Sequence, residues 1–205
     1  MERGAVAGLA EAVHLRFGEV LVAITDRLGH VDVGDLGRLA EGAPAPPVWA
    51  GLKFFNVYGP REAHKGDMRS VALKLYQTLQ AGGRATLFRS HRPDFADGGQ
   101  LRDFVYVKDC VAVVLWILAQ SRFSGLYNLG TGQARSFLDL ATAVFTALGQ
   151  APEITYVDMP EAIRDRYQYF TEARMDRLRQ AGYRAPFHSL EDGVADYVAW
   201  LGEQG

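Results

Sequence analysis

From residue 49 onward, apolar positions recur in two alternating rhythms. Gly51 to Val57 is a short apolar run that ends at polar Asn56 and a Gly59-Pro60 break, which predicts a buried strand and then a turn. Met68 to Ala81 places apolar residues at 68, 71, 72, 75, 76 and 79, the roughly 3.6-residue spacing of an amphipathic helix. Thr86 to Phe88 and Phe104 to Val107 read as short strands around a loop from Arg89 to Leu101. Val111 to Ala119 is apolar on every face, so this helix is expected to be deeply buried. Leu126 to Leu129 reads as a strand closed by Gly130-Thr131-Gly132. Ser136, with Asp139 three residues on, predicts a capped helix with its stripe at 137, 140, 141, 144, 145 and 148. Ile154 to Val157 fits an edge strand, and Thr171 and Ser189 are expected to cap two final helices. Alternating strand and helix signals of this kind predict an α/β fold.

Residues 1 to 48 follow neither rhythm for long. They hold no Lys, no Tyr and one aromatic, Phe17, and they end in Gly42-Ala43-Pro44-Ala45-Pro46-Pro47, which can neither extend a helix nor join a central strand. Within them Leu9 to Phe17 predicts a short helix and Val20 to Thr25 a strand. The division expected is therefore an amino-terminal segment, 1–48, and an α/β portion, 49–205. A shifted reading frame, a wrong start or a gene fusion would each explain the contrast.

Charge and composition change this picture little. Lys and Arg number 22 against 24 Asp and Glu, a net charge of -2, which favours neither nucleic acid nor an anionic membrane as partner. The single cysteine, Cys110, excludes an internal disulfide and points to a reducing compartment. No apolar run approaches the ~20 residues that span a bilayer, and no secretory leader is evident, so a cytoplasmic location is expected.

The chemistry-bearing residues cluster behind the predicted strand ends. Open α/β sheets bind ligands at the carboxyl ends of their strands, where Asn56 falls. A buried Asn there can donate to and accept from a sugar or diphosphate, although an Asn also satisfies turn backbone groups. Lys65 follows Arg61 and His64, and neighbouring cations or desolvation would lower its pKa toward proton exchange, whereas a lone loop Lys is most often a solvated charge. Phe88-Arg89-Ser90-His91 and Arg102 offer a backbone turn, a hydroxyl, an imidazole and a planar donor fork, a set that can hold a diphosphate.

Two stretches carry a resemblance. Gly51-Leu52-Lys53-Phe54-Phe55-Asn56-Val57-Tyr58-Gly59-Pro60-Arg61-Glu62 with His64-Lys65-Gly66-Asp67, and Arg102-Asp103-Phe104-Val105-Tyr106-Val107-Lys108-Asp109, resemble the second half of extended short-chain dehydrogenase/reductases acting on nucleotide sugars. The text from residue 49 to Leu201 is similar to the ADP-glyceromanno-heptose 6-epimerase family. That resemblance implies the last strands of a Rossmann-type sheet plus a small sugar-nucleotide-binding lobe. It implies an isomerase that inverts a sugar carbon of an ADP-sugar by oxidation and re-reduction with NADP, in lipopolysaccharide inner-core precursor synthesis, and a homo-oligomer. Residue by residue it implies Lys65 as a catalytic acid/base and Val57 and His64 at the cofactor. It also implies Asn56, Asp67, Lys74, Phe88, Arg89, Ser90, His91, Arg102 and Tyr167 at the substrate.

Two expected features are missing. A dinucleotide needs a Gly-rich turn between a strand and a helix, so that backbone amides meet the pyrophosphate. Gly34-Asp35-Leu36-Gly37-Arg38-Leu39-Ala40 has a Gly-x-x-Gly-x-x-Ala spacing, but Gly42 to Pro47 would break its helix after barely one turn. The family's Tyr-x-x-x-Lys pair must precede the Asn56 strand, and no Tyr or Lys occurs before Lys53. Three functions therefore compete: an epimerase of the heptose branch, a catalytically silent fragment that binds substrate, and another nucleotide-sugar epimerase or dehydratase. His64-Lys65-Gly66-Asp67 and Tyr167-Gln168 weigh against the last.

Overall fold

The computed structural model describes residues 13–17, 20–25 and 48–204. In chain order the strands are β1 (Val13–Phe17), β2 (Val20–Thr25), β3 (Val48–Phe54), β4 (Asn56–Tyr58), β5 (Ala85–Phe88), β6 (Leu101–Arg102), β7 (Phe104–Tyr106), β8 (Phe123–Leu129), β9 (Arg135–Ser136) and β10 (Ile154–Val157). The α-helices are α1 (Val71–Gln80), α2 (Val107–Leu118), α3 (Phe137–Ala147), α4 (Glu161–Arg164), α5 (Asp176–Gln180) and α6 (Leu190–Glu203). A 3-10 segment, Ala63–Met68, precedes α1.

The main sheet has the order β1-β2-β3-β8. Strand β3 runs parallel to both β2 and β8, while β1 pairs antiparallel with β2. A strand held between two parallel neighbours is covered on both faces and reads as a continuous apolar run, as Trp49 to Leu52 does. The expected strand from Gly51 to Val57 is in fact two. At Phe55 the chain changes partners: Phe55 N still donates to the Leu129 carbonyl at 3.1 Å, but Asn56 N donates to the Asp103 carbonyl at 3.0 Å. Strand β4 then pairs in parallel with β7, which sets Asn56 opposite Phe104.

Strand β7 separates two cores. Its side chains alternate with the two-residue period of a strand. Phe104 and Tyr106 join a cluster with Leu73, Leu87, Leu140, Val144, Val194 and Tyr197, and Val105 joins a second with Leu52, Val113, Ile117, Leu129 and Leu178. Each fully buried Leu or Ile contributes about 1.5 to 3 kcal/mol. Strand β10 pairs in parallel with β5 at the first core, and Ser136 caps α3 through the expected capping box with Asp139.

Several expectations shift. Val13 to Phe17 is a strand where a helix over Leu9 to Phe17 is expected, and residues 9 to 12 lie outside the described residues, as does the Gly34 to Ala40 spacing. Helix α1 begins at Val71 instead of Met68, because the Ser70 hydroxyl accepts from Leu73 N and ends the preceding turn. Val107 opens α2 instead of closing a strand. Helix α2 is not deeply buried: Val113 and Ile117 are fully covered, but Val111 is 51% and Leu115 60% exposed. Only one face of α2 meets the second core. Ser189 caps α6 as expected, accepting from Asp192 N. Thr171 caps nothing: its backbone N donates to the Leu101 carbonyl at 3.2 Å, an extended pairing, and α5 starts after Met175 without a side-chain cap. The Thr171 hydroxyl is buried with no hydrogen-bond partner. Among the described residues no helix is long and apolar enough to cross a membrane.

Candidate active site

Two cavities open along the strands, the larger beside β4 and β7 and the smaller beside β5. The larger, about 850 Å³, is lined by Phe54, Asn56, Val57, Lys65, Cys110 and Val114 among others. The smaller, about 310 Å³, is lined by Lys74, Arg84, Thr86, Phe88, Val157 and Tyr167 among others. Val71 and Phe137 line both, so the two adjoin.

Arg102 lines neither cavity but packs on two of their wall residues, Phe137, shared by both, and Tyr167, of the smaller. Its guanidinium carbon sits 5.7 Å from the Phe137 ring centroid and 5.2 Å from that of Tyr167. Its Nη1 donates to the Leu101 carbonyl at 2.8 Å. Among the described residues no carboxylate pairs with it. Burial lowers its pKa from the ordinary value, with the Tyr167 phenol pulling the other way, yet an arginine keeps its charge at neutral pH. Burial likewise pushes the Tyr167 phenol up, opposed by Arg102. Tyr167 also meets Phe88 edge to face, with centroids 6.3 Å apart. A half-desolvated cation without a partner is costly, and an anion in the adjoining cavities would relieve that cost.

Buried carboxylates hold the ground on either side. Asp103, fully buried, accepts from Thr131 N and Thr131 Oγ1 at 2.7 Å each and from Gly132 N and Ala173 N at 2.9 Å each. It therefore joins β7 to the Gly130-Thr131-Gly132 turn and to the chain before α5. On the other side the turn after β4 places Arg61 at φ 70, a left-handed conformation that non-glycine residues seldom adopt. Glu62 follows it into the interior.

The structure distributes the expected site residues unevenly. Asn56, Val57 and Lys65 share the larger cavity, and Lys74, Phe88 and Tyr167 the smaller, while Arg102 lines neither and packs on Phe137 and Tyr167. Asn56 is exposed, not buried, because β4 begins there after the change of partner at Phe55. Lys65 is exposed as well, so burial does not desolvate it. His64 and Asp67 are exposed and line neither cavity; the Asp67 carbonyl accepts from Lys74 Nζ at 2.7 Å, which ties the turn to α1. Arg89 makes a 3.5 Å ion pair with Asp158, both well exposed. The Ser90 hydroxyl is engaged in its own turn, donating to the Arg92 carbonyl at 2.8 Å. His91 is exposed, and its backbone N donates to the Tyr169 hydroxyl at 2.8 Å. Arg89, Ser90 and His91 thus lie outside the linings of both cavities.

Sequence reasoning passed over three residues here. Asp103 was in plain view within Arg102-Asp103-Phe104, and Glu62 within Gly59-Pro60-Arg61-Glu62; an acid inside an otherwise apolar run was the available signal. Cys110, read only for its redox meaning, lines the larger cavity. Burial first, and then the Asp109 charge, push its thiol up, which leaves it a packing group and not a nucleophile.

Residues 48–130 match the family described as NAD dependent epimerase/dehydratase family. Over these residues the chain is similar to that family. Over 149 residues the chain is 58% identical to the ADP-L-glycero-D-manno-heptose-6-epimerase of Nitratidesulfovibrio vulgaris, covering 73% of this chain and 46% of that protein. The crystal structure of the Helicobacter pylori ADP-L-glycero-D-manno-heptose-6-epimerase aligns with a TM-score of 0.62 at 32% identity, over 76% of this chain and 45% of that one. The Thermus thermophilus UDP-glucose 4-epimerase, solved in complex with NAD, aligns with a TM-score of 0.63 at 26% identity, over 81% and 50%. The matched region thus has the expected Rossmann-like α/β fold, and the chain spans about half the length of the curated relatives it matches.

Proposed function

We propose that this chain carries the sugar-nucleotide half of an epimerase site acting on an ADP-heptose. The observation that carries this is Arg102, half-buried between Phe137 and Tyr167 and without a carboxylate among the described residues, where Phe137 lines both a cavity holding Asn56 and Lys65 and one holding Lys74 and Phe88. An Arg fork binds a diphosphate by two parallel charge-assisted hydrogen bonds. With the diphosphate at Arg102, the sugar extends toward Asn56 and Lys65 and the nucleoside toward Phe88 and Lys74. Lys65 then holds or moves a proton at the inverting carbon, Asn56 orients the sugar hydroxyls, and Tyr167, beside Arg102 and Phe88, closes the smaller cavity next to the diphosphate. Identity to the heptose epimerases favours ADP-heptose over a UDP-sugar.

A nicotinamide cofactor, NADP in this branch, would supply hydride removal and return. The described residues fit its ring and no more. Val57, Cys110 and Val114 form an apolar wall of the larger cavity, but no Gly-rich turn at a helix start is among the described residues. The sequence also holds no Tyr-x-x-x-Lys pair. No step is therefore assigned to the cofactor, and the second reading, a chain that binds substrate without turning it over, is favoured for the isolated polypeptide. Purified chain incubated with NADP and an ADP-heptose is expected to show no inversion by NMR of the sugar. Loss of one acid/base typically costs on the order of 100- to 10,000-fold. Sustained inversion by material free of host epimerase would overturn this assignment.

A further inference from the structure

The turn that carries Lys65 is closed by one side chain. Glu62 is 3% exposed, and its carboxylate accepts from Ser70 N at 2.7 Å, Ser70 Oγ at 2.6 Å and Gly59 N at 3.4 Å. Its own carbonyl accepts from Lys65 N at 3.0 Å. Residues 62 and 70 are thereby fastened together, and the 3-10 segment Ala63–Met68 forms a ring whose members are all exposed. Gly66, at φ 54 and ψ -126, supplies the reversal that a side-chain-bearing residue resists. Ser70 is in turn the cap of α1, so the fastening point is itself held by a helix. A carboxylate is expensive to bury unless its oxygens are bonded, and here the bonds it gains are the ones that close the ring. From α6, the Tyr197 phenol is pushed up by burial and then by the Glu62 charge.

We infer that Glu62 is a positioning residue: it clasps the two ends of the 62–70 ring and so fixes where Lys65 meets the larger cavity. This rests on Lys65 being the proton-carrying group of the proposed site. Glu62 itself is not among the lining residues of the cavity, although its partner Ser70 is. Its effect on chemistry passes through Ser70 and the ring that the two residues close.

The test uses the full 205-residue chain, with hydrogen exchange of the 63–69 amides and the rate of Lys-C cleavage after Lys65 as readouts. Glu62→Ala should speed both by about tenfold or more, as expected when a charge-assisted bond is lost. Exchange in α2 and cleavage after Lys108 should stay as in the wild type. Glu62→Gln keeps an acceptor for Ser70 N and a donor for Ser70 Oγ, and should restore both rates to within about threefold of wild type. If Glu62→Ala does not fold, Ser70→Ala carries the test: it removes the hydroxyl bond to Glu62 together with the cap bond from Leu73 N, and should raise the 63–69 rates a few-fold. Unchanged rates at 63–69, an equal rise throughout the chain, or a Gln variant as loose as Ala would each overturn the inference. Neither readout needs ligand or turnover. Failure here removes the clasp and leaves Lys65 in place, whereas normal inversion by a Lys65→Ala complete enzyme removes Lys65 and leaves the clasp.

Discussion

Replacing Asp103 with Asn tests whether the ground beneath the site is held by one carboxylate. Four donors converge on it, two on each oxygen, in a position with no solvent access. An amide has one acceptor oxygen, so one pair of donors must face an NH₂ group. If that pair is Gly132 N and Ala173 N, two backbone N–H groups lose their partner in a dry site. If it is the Thr131 pair, the hydroxyl can rotate and accept, but Thr131 N is left unpaired. The second arrangement is cheaper and still converts the remaining bonds from charge-assisted to neutral. With the smaller desolvation of the amide allowed for, the net loss is about 3 kcal/mol. In a chain of this length that lowers Tm by roughly 6 to 12 °C. Urea unfolding of wild type and variant, followed by tryptophan fluorescence, measures it. A loss under about 1 kcal/mol would show that water or a backbone shift replaces the carboxylate, and the argument would fail.

Three further outcomes follow from packing and charge. Gly193→Ala in α6 should destabilise by about 1 to 3 kcal/mol despite a helix-propensity gain of about 1, because a Cβ there meets the Tyr58 hydroxyl and comes within 3.2 Å of Tyr106; a rise in the urea midpoint would refute it. Leu115→Ser should move stability by no more than about 0.5 kcal/mol, whereas Ile117→Ala, two positions on and fully buried, should cost about 2 to 5, a contrast readable in one denaturation series. Burial alone would raise the Asp139 carboxyl, but hydrogen bonds from the Ser136 backbone and hydroxyl and from Arg135 outweigh it and hold it below the usual range. A depressed folded pKa gives stability that is present above the unfolded value, near 3.9, and is lost as pH falls through the folded one. Wild-type stability should therefore drop below about pH 4, and Asp139→Asn should flatten that slope in urea midpoints taken from pH 6 to 3.

Much of the architecture was legible from periodicity because local rules and tertiary packing agree there. Ser136 with Asp139, the α3 stripe and the β10 edge strand are of this kind. The misreadings occur where a partner chosen at long range decides. Gly51 to Val57 splits because Asn56 finds Asp103 while Phe55 keeps Leu129, a switch no local pattern encodes. Val111 and Leu115 are as apolar as Val113 and Ile117, so the sequence could not say which face of α2 the core would take. Thr171 looked like a cap, but pairing with Leu101 claimed its backbone. At the site, Asn56 and Lys65 line the larger cavity and Lys74, Phe88 and Tyr167 the smaller, while Arg102 packs on Phe137 and Tyr167. The roles of Glu62 and Asp103 emerge only when their bonding partners, eight to seventy residues away, are visible.

The central claim is that Arg102 anchors the diphosphate of an ADP-sugar. Calorimetric titration of ADP-heptose into the purified chain tests it most directly, with Arg102→Ala alongside. Binding to wild type and a roughly tenfold to hundredfold weaker Kd in the variant, the loss of about 1.5 to 3 kcal/mol expected for a charge-assisted bond, is the predicted result. Equal affinity in the two proteins, or no heat of binding to wild type, would contradict it.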